Sequence, residues 1–146
     1  MKDERTGKDL KEYPVLEDER TYIYVMLNSS GYVKIGKTTN IQQRYQSLSG
    51  SNTGGLSIEK VWCSPITYLH SIERVMHIHF AKYRVEGEWF IDSNEVDKDF
   101  TFDIAIDYLK SLFSSTEYKR CNEERKRFVE EQRLIGKGEK GYESDK

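Results

Sequence analysis

The chain has only two cysteines, Cys63 and Cys121, far apart and outside any C-x-x-C spacing, so neither a disulfide framework nor a zinc site is indicated. Both are read as reduced thiols. No stretch approaches the roughly 20 apolar residues of a membrane-spanning helix, and Met1 to Arg20 is charged throughout, with no apolar run of the signal-peptide kind. A cytoplasmic protein with no membrane partner is expected. Excess positive charge is also missing: the net charge is -2 and the pI near 6.0. That speaks against nucleic-acid binding by bulk electrostatics, which needs clustered Lys and Arg.

The average charge conceals a local pattern. From Arg20 to Ile58 there are four cationic residues (Arg20, Lys34, Lys37, Arg44) and no Asp or Glu, whereas Glu86 to Asp107 holds eight acids against Lys98. On separate faces, the first segment could meet a phosphate backbone while the second stays in solvent. A charged fraction of 33% is high for a globular protein, yet ten Tyr and a 12% aromatic content argue against a disordered chain. With 146 residues there is room for one domain and short extensions.

Residues 1–20, nearly all polar and interrupted by Pro14, carry no helical or strand period and are expected to form a flexible arm. Two β-rich runs follow, Thr21 to Leu27 and Tyr32 to Gly36, joined by Asn-Ser-Ser-Gly at 28–31, which predicts a hairpin. Ile23, Val25, Leu27, Val33 and Ile35 share one parity and are expected to face a core. Tyr22, Tyr24, Tyr32 and Lys34 then turn the other way. With Gly31 opposite Leu27, the register sets Tyr24 across from Lys34, about 5 Å apart at Cβ.

Thr39 or Asn40 caps a short predicted helix from Ile41 to Ser49, with Arg44 beside its apolar stripe. Gly50 to Gly55 breaks it. Leu56 to Cys63 reads as a third strand, stopped by Ser64-Pro65. A longer helix is predicted from Thr67 to Tyr83, with Leu69, Ile72, Met76, Phe80 and Tyr83 at helical spacing, then a short strand at Trp89 to Ile91. Asn94 with Asp97 predicts the cap of another helix, burying Val96, Phe100, Ile104, Tyr108 and Leu112. After Ser114-Ser115 the chain is helix-permissive but almost wholly charged to Ile135, with frayed residues beyond. The expected organisation is an arm at 1–20, a domain at 21–113 and a charged helix and tail at 116–146.

Four features arrive in order: T-Y-I-Y-V-M at 21–26, V-K-I-G-K-T at 33–38, Arg44 on the next helix and Glu73 on the longer one. Together they resemble the GIY-YIG nuclease superfamily, over residues 21 to 91. The resemblance implies an α/β (α+β) domain, with a small three-stranded, mainly antiparallel sheet flanked by helices and an additional C-terminal helix. It further implies that Tyr24 stands at the tyrosine of the first name-giving motif, Gly36 at the glycine of the second, Arg44 at the catalytic arginine and Glu73 at the metal-binding glutamate. Two positions depart from the pattern: Tyr22 occupies the glycine of the first motif and Lys34 replaces the tyrosine of the second. V-K-I-G-K-T-T-N, E-R-V-M-H and G-E-W-F resemble a short phage- and bacteria-associated branch often described only as a DNA-binding domain.

Phosphodiester hydrolysis needs an activated water, positive charge where the transition state gains negative charge, and help for the leaving oxygen. Tyr24 is a candidate base, and an ammonium opposite it, from Lys34, would lower its pKa. The bland alternative is an ordinary exposed cross-strand pair. Glu73 falls near the centre of the apolar stripe of its helix, where a carboxylate needs a cation: a divalent metal such as Mg²⁺ (or Mn²⁺), or a basic side chain such as Arg44. His77, one turn on, is a candidate partner of that site, while His70 and His79 point elsewhere. Arg44 is a candidate phosphate clamp or a plain surface arginine. Lys37, Thr38 and Asn40, at a helix start, are candidate DNA contacts. Glu88 precedes two aromatics expected in the core and is a candidate to orient His77 or a cation, its role left open. The leading reading is a metal-dependent DNA endonuclease. Its rivals are an inactive DNA-binding module of the same fold and a protein-interaction adaptor, with dimerisation or a protein partner assigned to the C-terminal helix.

Overall fold

The computed structural model describes residues 1–17, 20–49, 57–67, 72–91 and 100–115, and, toward the C-terminus, 119–120, 123–124, 126–128 and 130–135. Its centre is a five-stranded antiparallel sheet. The strands are β1 (Arg20–Asn28), β2 (Tyr32–Thr38), β3 (Ile58–Thr67), β4 (Arg84–Glu86) and β5 (Trp89–Ile91), in the order β3-β1-β2-β5-β4. The helices are α1 (Ile41–Ser49), α2 (Ile72–His79) and α3 (Phe102–Ser114). The fold is of the expected mixed α+β class, with five strands where three were expected. Among the described residues, no helix is long and apolar enough to cross a membrane.

The hairpin forms with a different register from the expected one. Tyr24 pairs with Gly36, Met26 with Lys34 and Leu27 with Val33, so the expected pairing of Tyr24 with Lys34 is corrected by two residues. The turn explains the shift. Asn28 stays in the strand, and its side-chain oxygen accepts from the amides of Ser30 (3.0 Å) and Tyr32 (2.9 Å). Gly31, at φ +84°, therefore lies inside the loop at 29–31, which is displaced by one position along the chain from the expected one. Parity is unaffected, because a slip of two keeps every side chain on its face.

Both faces of β1 are buried. Ile23, Val25, Val33 and Ile35 form the first core with Ile72, Met76 and Phe80 of α2, Phe90 of β5, and Phe102, Ala105, Ile106 and Leu109 of α3. The other face, expected to turn outward, carries Tyr22, Tyr24 and Met26 into a second core with Leu10, Leu16, Ile41, Leu48, Val61 and Cys63. Its cover comes partly from the N-terminal residues, so the expected flexible arm is also corrected over residues 1–17. A capping box of Asp9 and Glu12 starts a 3-10 turn at Leu10–Glu12. Asp3, wholly buried, accepts from the Cys63 amide (3.1 Å), the Arg5 amide (2.9 Å) and the Tyr13 hydroxyl (2.6 Å). Cys63 itself is a free thiol; Cys121 lies outside the described residues.

Several element boundaries moved for local reasons. β3 runs through Ser64-Pro65 to Thr67, because it is an edge strand and a proline with no N–H is tolerated there. The described part of the longer helix begins at Ile72 and ends at His79, followed by a 3-10 turn at Ala81–Tyr83. Leu69 and His70 lie outside the described residues, as do Gly50 to Gly55 and the expected cap at Asn94 and Asp97. The observed cap of α3 is Thr101, whose hydroxyl accepts from the Ile104 amide at 3.1 Å. The buried face of α3 is rotated from the expected stripe: Ile104, Tyr108 and Leu112 are half-buried at its margin. The described residues within 119–135 are helical and exposed, with an Arg120–Glu124 pair at 3.4 Å.

Candidate active site

Gly36 of β2 lies under the ring of Tyr24. A Cβ at position 36 would sit 2.5 Å from the Tyr24 hydroxyl oxygen, 2.7 Å from Cζ and 3.1 Å from Oε2 of Glu88. Any side chain here would have to displace the phenol, so the missing Cβ creates the site. Glu88 arrives from the β4–β5 turn, which Gly87 allows at φ +55°. Neither β4 nor this turn was anticipated, and Glu88 is the functional candidate whose position the sequence did not disclose.

Lys34, facing Met26 rather than Tyr24, reaches the same place from β2. Its Nζ is 3.6 Å from Glu88 Oε2 and 5.2 Å from the centre of the Trp89 ring. Lys34 is therefore a partner of Glu88. The expectation that it would lower the pKa of Tyr24 is not met: burial pushes the phenol well above its ordinary value, Arg44 draws it down, and Glu88 and Glu73 push it further up. Tyr24 is wholly buried, and its hydroxyl makes no hydrogen bond of normal geometry among the described residues, with the Arg44 guanidinium the donor near enough to act on it.

From the other side comes α2. Glu73 is half-buried beside the apolar face formed by Ile72, Met76 and Phe80, not at its centre. Burial, and then the Glu88 carboxylate, raise its pKa, while His77 and Lys37 lower it. His77 has a ring nitrogen, Nε2, 2.8 Å from the Ile35 carbonyl oxygen and its ring edge-on to Phe90 at 5.3 Å. The Ile35 amide donates to the Glu88 carbonyl at 3.2 Å. The backbone of one β2 residue thus ties together the two elements that carry Glu73 and Glu88. His79 stacks on Tyr108 at 3.8 Å and has a packing role.

The start of α1 adds the basic side of the site. Asn40 caps the helix by accepting from the Gln43 amide at 3.1 Å, and Thr38 Oγ1 accepts from the Asn40 amide at 3.2 Å. Lys37 is exposed beside them, and Arg44 follows one turn into α1. Of the residues singled out in the sequence, Tyr24, Gly36, Lys34 and Glu88 meet here, His77 is tied to the neighbouring Ile35, and Arg44, Glu73 and Lys37 lie within electrostatic reach. Tyr22 stays apart: it is buried, and its hydroxyl donates to the Pro14 carbonyl at 2.6 Å. It holds the N-terminal segment in place. A residue with a side chain at that position suits this packing.

The sheet thus carries two half-buried carboxyls, a buried phenol and a basic helix start on its flank. Residues 21–105, more than half of the chain, match the T5orf172 domain, and the chain belongs to that family. No curated protein and no solved structure matches it.

Proposed function

We propose that this protein is a divalent-metal-dependent DNA endonuclease whose active site is of the GIY-YIG type. The observation that carries the reading is the Tyr24 hydroxyl: a buried polar group with no partner costs about 1–3 kcal/mol, and native structures keep such groups chiefly where a ligand or reactant satisfies them. It sits among an arginine and two carboxylates, a mixture of charges suited to phosphate chemistry rather than to packing.

The residues present fit a hard cation. Glu73 and Glu88 are both half-buried carboxyls, one on α2 and one in the β4–β5 turn, and burial with the Glu88 carboxylate raises the pKa of Glu73. Mg²⁺ or Mn²⁺ bound by one or two carboxylates, with waters and phosphate oxygens completing its shell, would supply Lewis-acid stabilisation of the phosphate. Arg44 neutralises charge gained by the scissile phosphate, and Lys37 with the amides at the start of α1 positions the neighbouring backbone. Tyr24, protonated in the free protein, hydrogen-bonds the attacking water or a phosphate oxygen. His77 fixes α2 against β2 and keeps Glu73 in place.

A second reading is favoured by the burial that raises Tyr24: a phenol this hard to ionise suits a module that grips DNA without cutting it. Incubation with supercoiled, linear, branched and single-stranded DNA in Mg²⁺ or Mn²⁺ separates the two. Nicking that depends on the metal and disappears in Glu73→Ala supports the enzyme. Retained binding with no cleavage of any of these substrates supports the binding module.

A further inference from the structure

We infer that Glu88 is a second carboxylate ligand of the divalent cation, completing with Glu73 a two-carboxylate site of which Lys34 and Tyr24 form the walls. The inference rests on the metal-dependent reading given above.

Glu88 is held at this point by three separate features. Gly36 leaves the space into which Oε2 projects, 3.1 Å from where a Cβ would be. The Glu88 carbonyl is fixed by the Ile35 amide. The Lys34 ammonium stands 3.6 Å from Oε2, close enough to pair but beyond hydrogen-bond length, with Trp89 beneath it. The Glu88 side chain is nevertheless 37% exposed. One ammonium on one side leaves carboxylate lone pairs open for another partner.

Glu73, half-buried in the first turn of α2, lies within electrostatic reach of Glu88. Its helix is joined to β2 through His77 and the Ile35 carbonyl, on the residue that also fixes Glu88. Each carboxylate lies within electrostatic reach of the Tyr24 hydroxyl, which stands beside Glu88 over Gly36. That hydroxyl is a second, geometric observation: it is fully buried, makes no hydrogen bond of normal geometry, and stands over Gly36 beside Glu88. Two like charges within electrostatic reach of one another beside such a hydroxyl form an unfavourable arrangement that a cation carrying its own waters relieves at all three groups. Lys34 then has a definite use. It holds Glu88 in position when no metal is bound, which explains a lysine where the related nucleases have a tyrosine.

The test is a calorimetric Mn²⁺ titration of the full chain without DNA, comparing the natural protein with Glu73→Gln, Glu88→Gln and Glu88→Asp, each checked for native circular dichroism. Glu88→Gln is isosteric, and Glu88→Asp retains the charge while shortening its reach. The expected result is a single site in the natural protein, weakened by about tenfold or more in each Gln variant and less in Glu88→Asp. Weakening by Glu73→Gln with Glu88→Gln binding as tightly as the natural protein, or more tightly, overturns the inference and leaves the one-carboxylate reading standing. Absence of Mn²⁺ binding by the natural protein overturns the inference together with the metal-dependent reading beneath it.

Discussion

Tyr24 and Gly36 are direct cross-strand partners, and the phenol of one fills the space that a side chain on the other would occupy. Gly36→Ala therefore has to move either the ring or the strand. It is expected to destabilise the protein by about 1–3 kcal/mol, as overpacking does, and to depress cleavage. Because Cζ as well as the hydroxyl crowds the new methyl, combining it with Tyr24→Phe is expected not to restore stability. Urea unfolding of the three variants provides the check.

Tyr24→Phe alone has the opposite signature. It deletes a buried hydroxyl that has no partner, so stability is expected to stay level or to rise by up to about 1–3 kcal/mol. Cleavage is expected to fall by about 10²-fold, the usual consequence of removing one hydrogen-bond donor from a reacting centre. Thermal unfolding and a cleavage time course on one preparation measure both. A loss of stability with unchanged cleavage would make Tyr24 a packing residue.

Glu73 links stability to pH. Its pKa is raised in the folded state, so its contribution is fully present below the ordinary glutamate pKa and is lost as pH rises through the folded value. At neutral pH the metal-free protein therefore carries the cost of ionising it. Glu73→Gln is expected to melt higher than the natural protein at pH 7 in chelator, with the difference shrinking toward pH 4. Melting curves across that range test the sign.

Tyr13 provides the corresponding test for the N-terminal segment. Burial first, and then its hydrogen bond to Asp3, push its pKa up to about 12. Its stabilising contribution is fully present below the usual tyrosine pKa of about 10 and fades as pH rises toward 12. Relative to Tyr13→Phe, the natural protein is expected to lose stability over that interval. Asp3→Asn, which removes the buried charge that orders residues 1–6, is expected to expose the N-terminus to proteolysis at neutral pH.

The hairpin, α1 and the α+β class were legible because strand parity, a cap and turn chemistry are local signals. The register was not, since it depended on whether Asn28 belonged to the turn or to the strand, and only its side-chain bonds to Ser30 and Tyr32 decide that. The second core escaped for a different reason. Residues 1–17 look polar, yet Leu10, Tyr13 and Leu16 recur every third position after a capping box, a pattern too short to stand out without the sheet face it covers. Within the candidate site, Tyr24, Arg44 and Glu73 were singled out through the resemblance alone. Glu88 remained open because its position depends on β4 and a glycine turn, and a three-residue strand has almost no periodicity to detect.

The most direct test measures DNA affinity and cleavage together, as a function of Mg²⁺ or Mn²⁺, for the natural protein and Glu73→Gln on the same labelled substrate. The predicted result is metal-dependent cleavage by the natural protein and none by the variant, with affinity in chelator equal for the two. Cleavage that persists in Glu73→Gln, or that needs no divalent metal, would contradict the account.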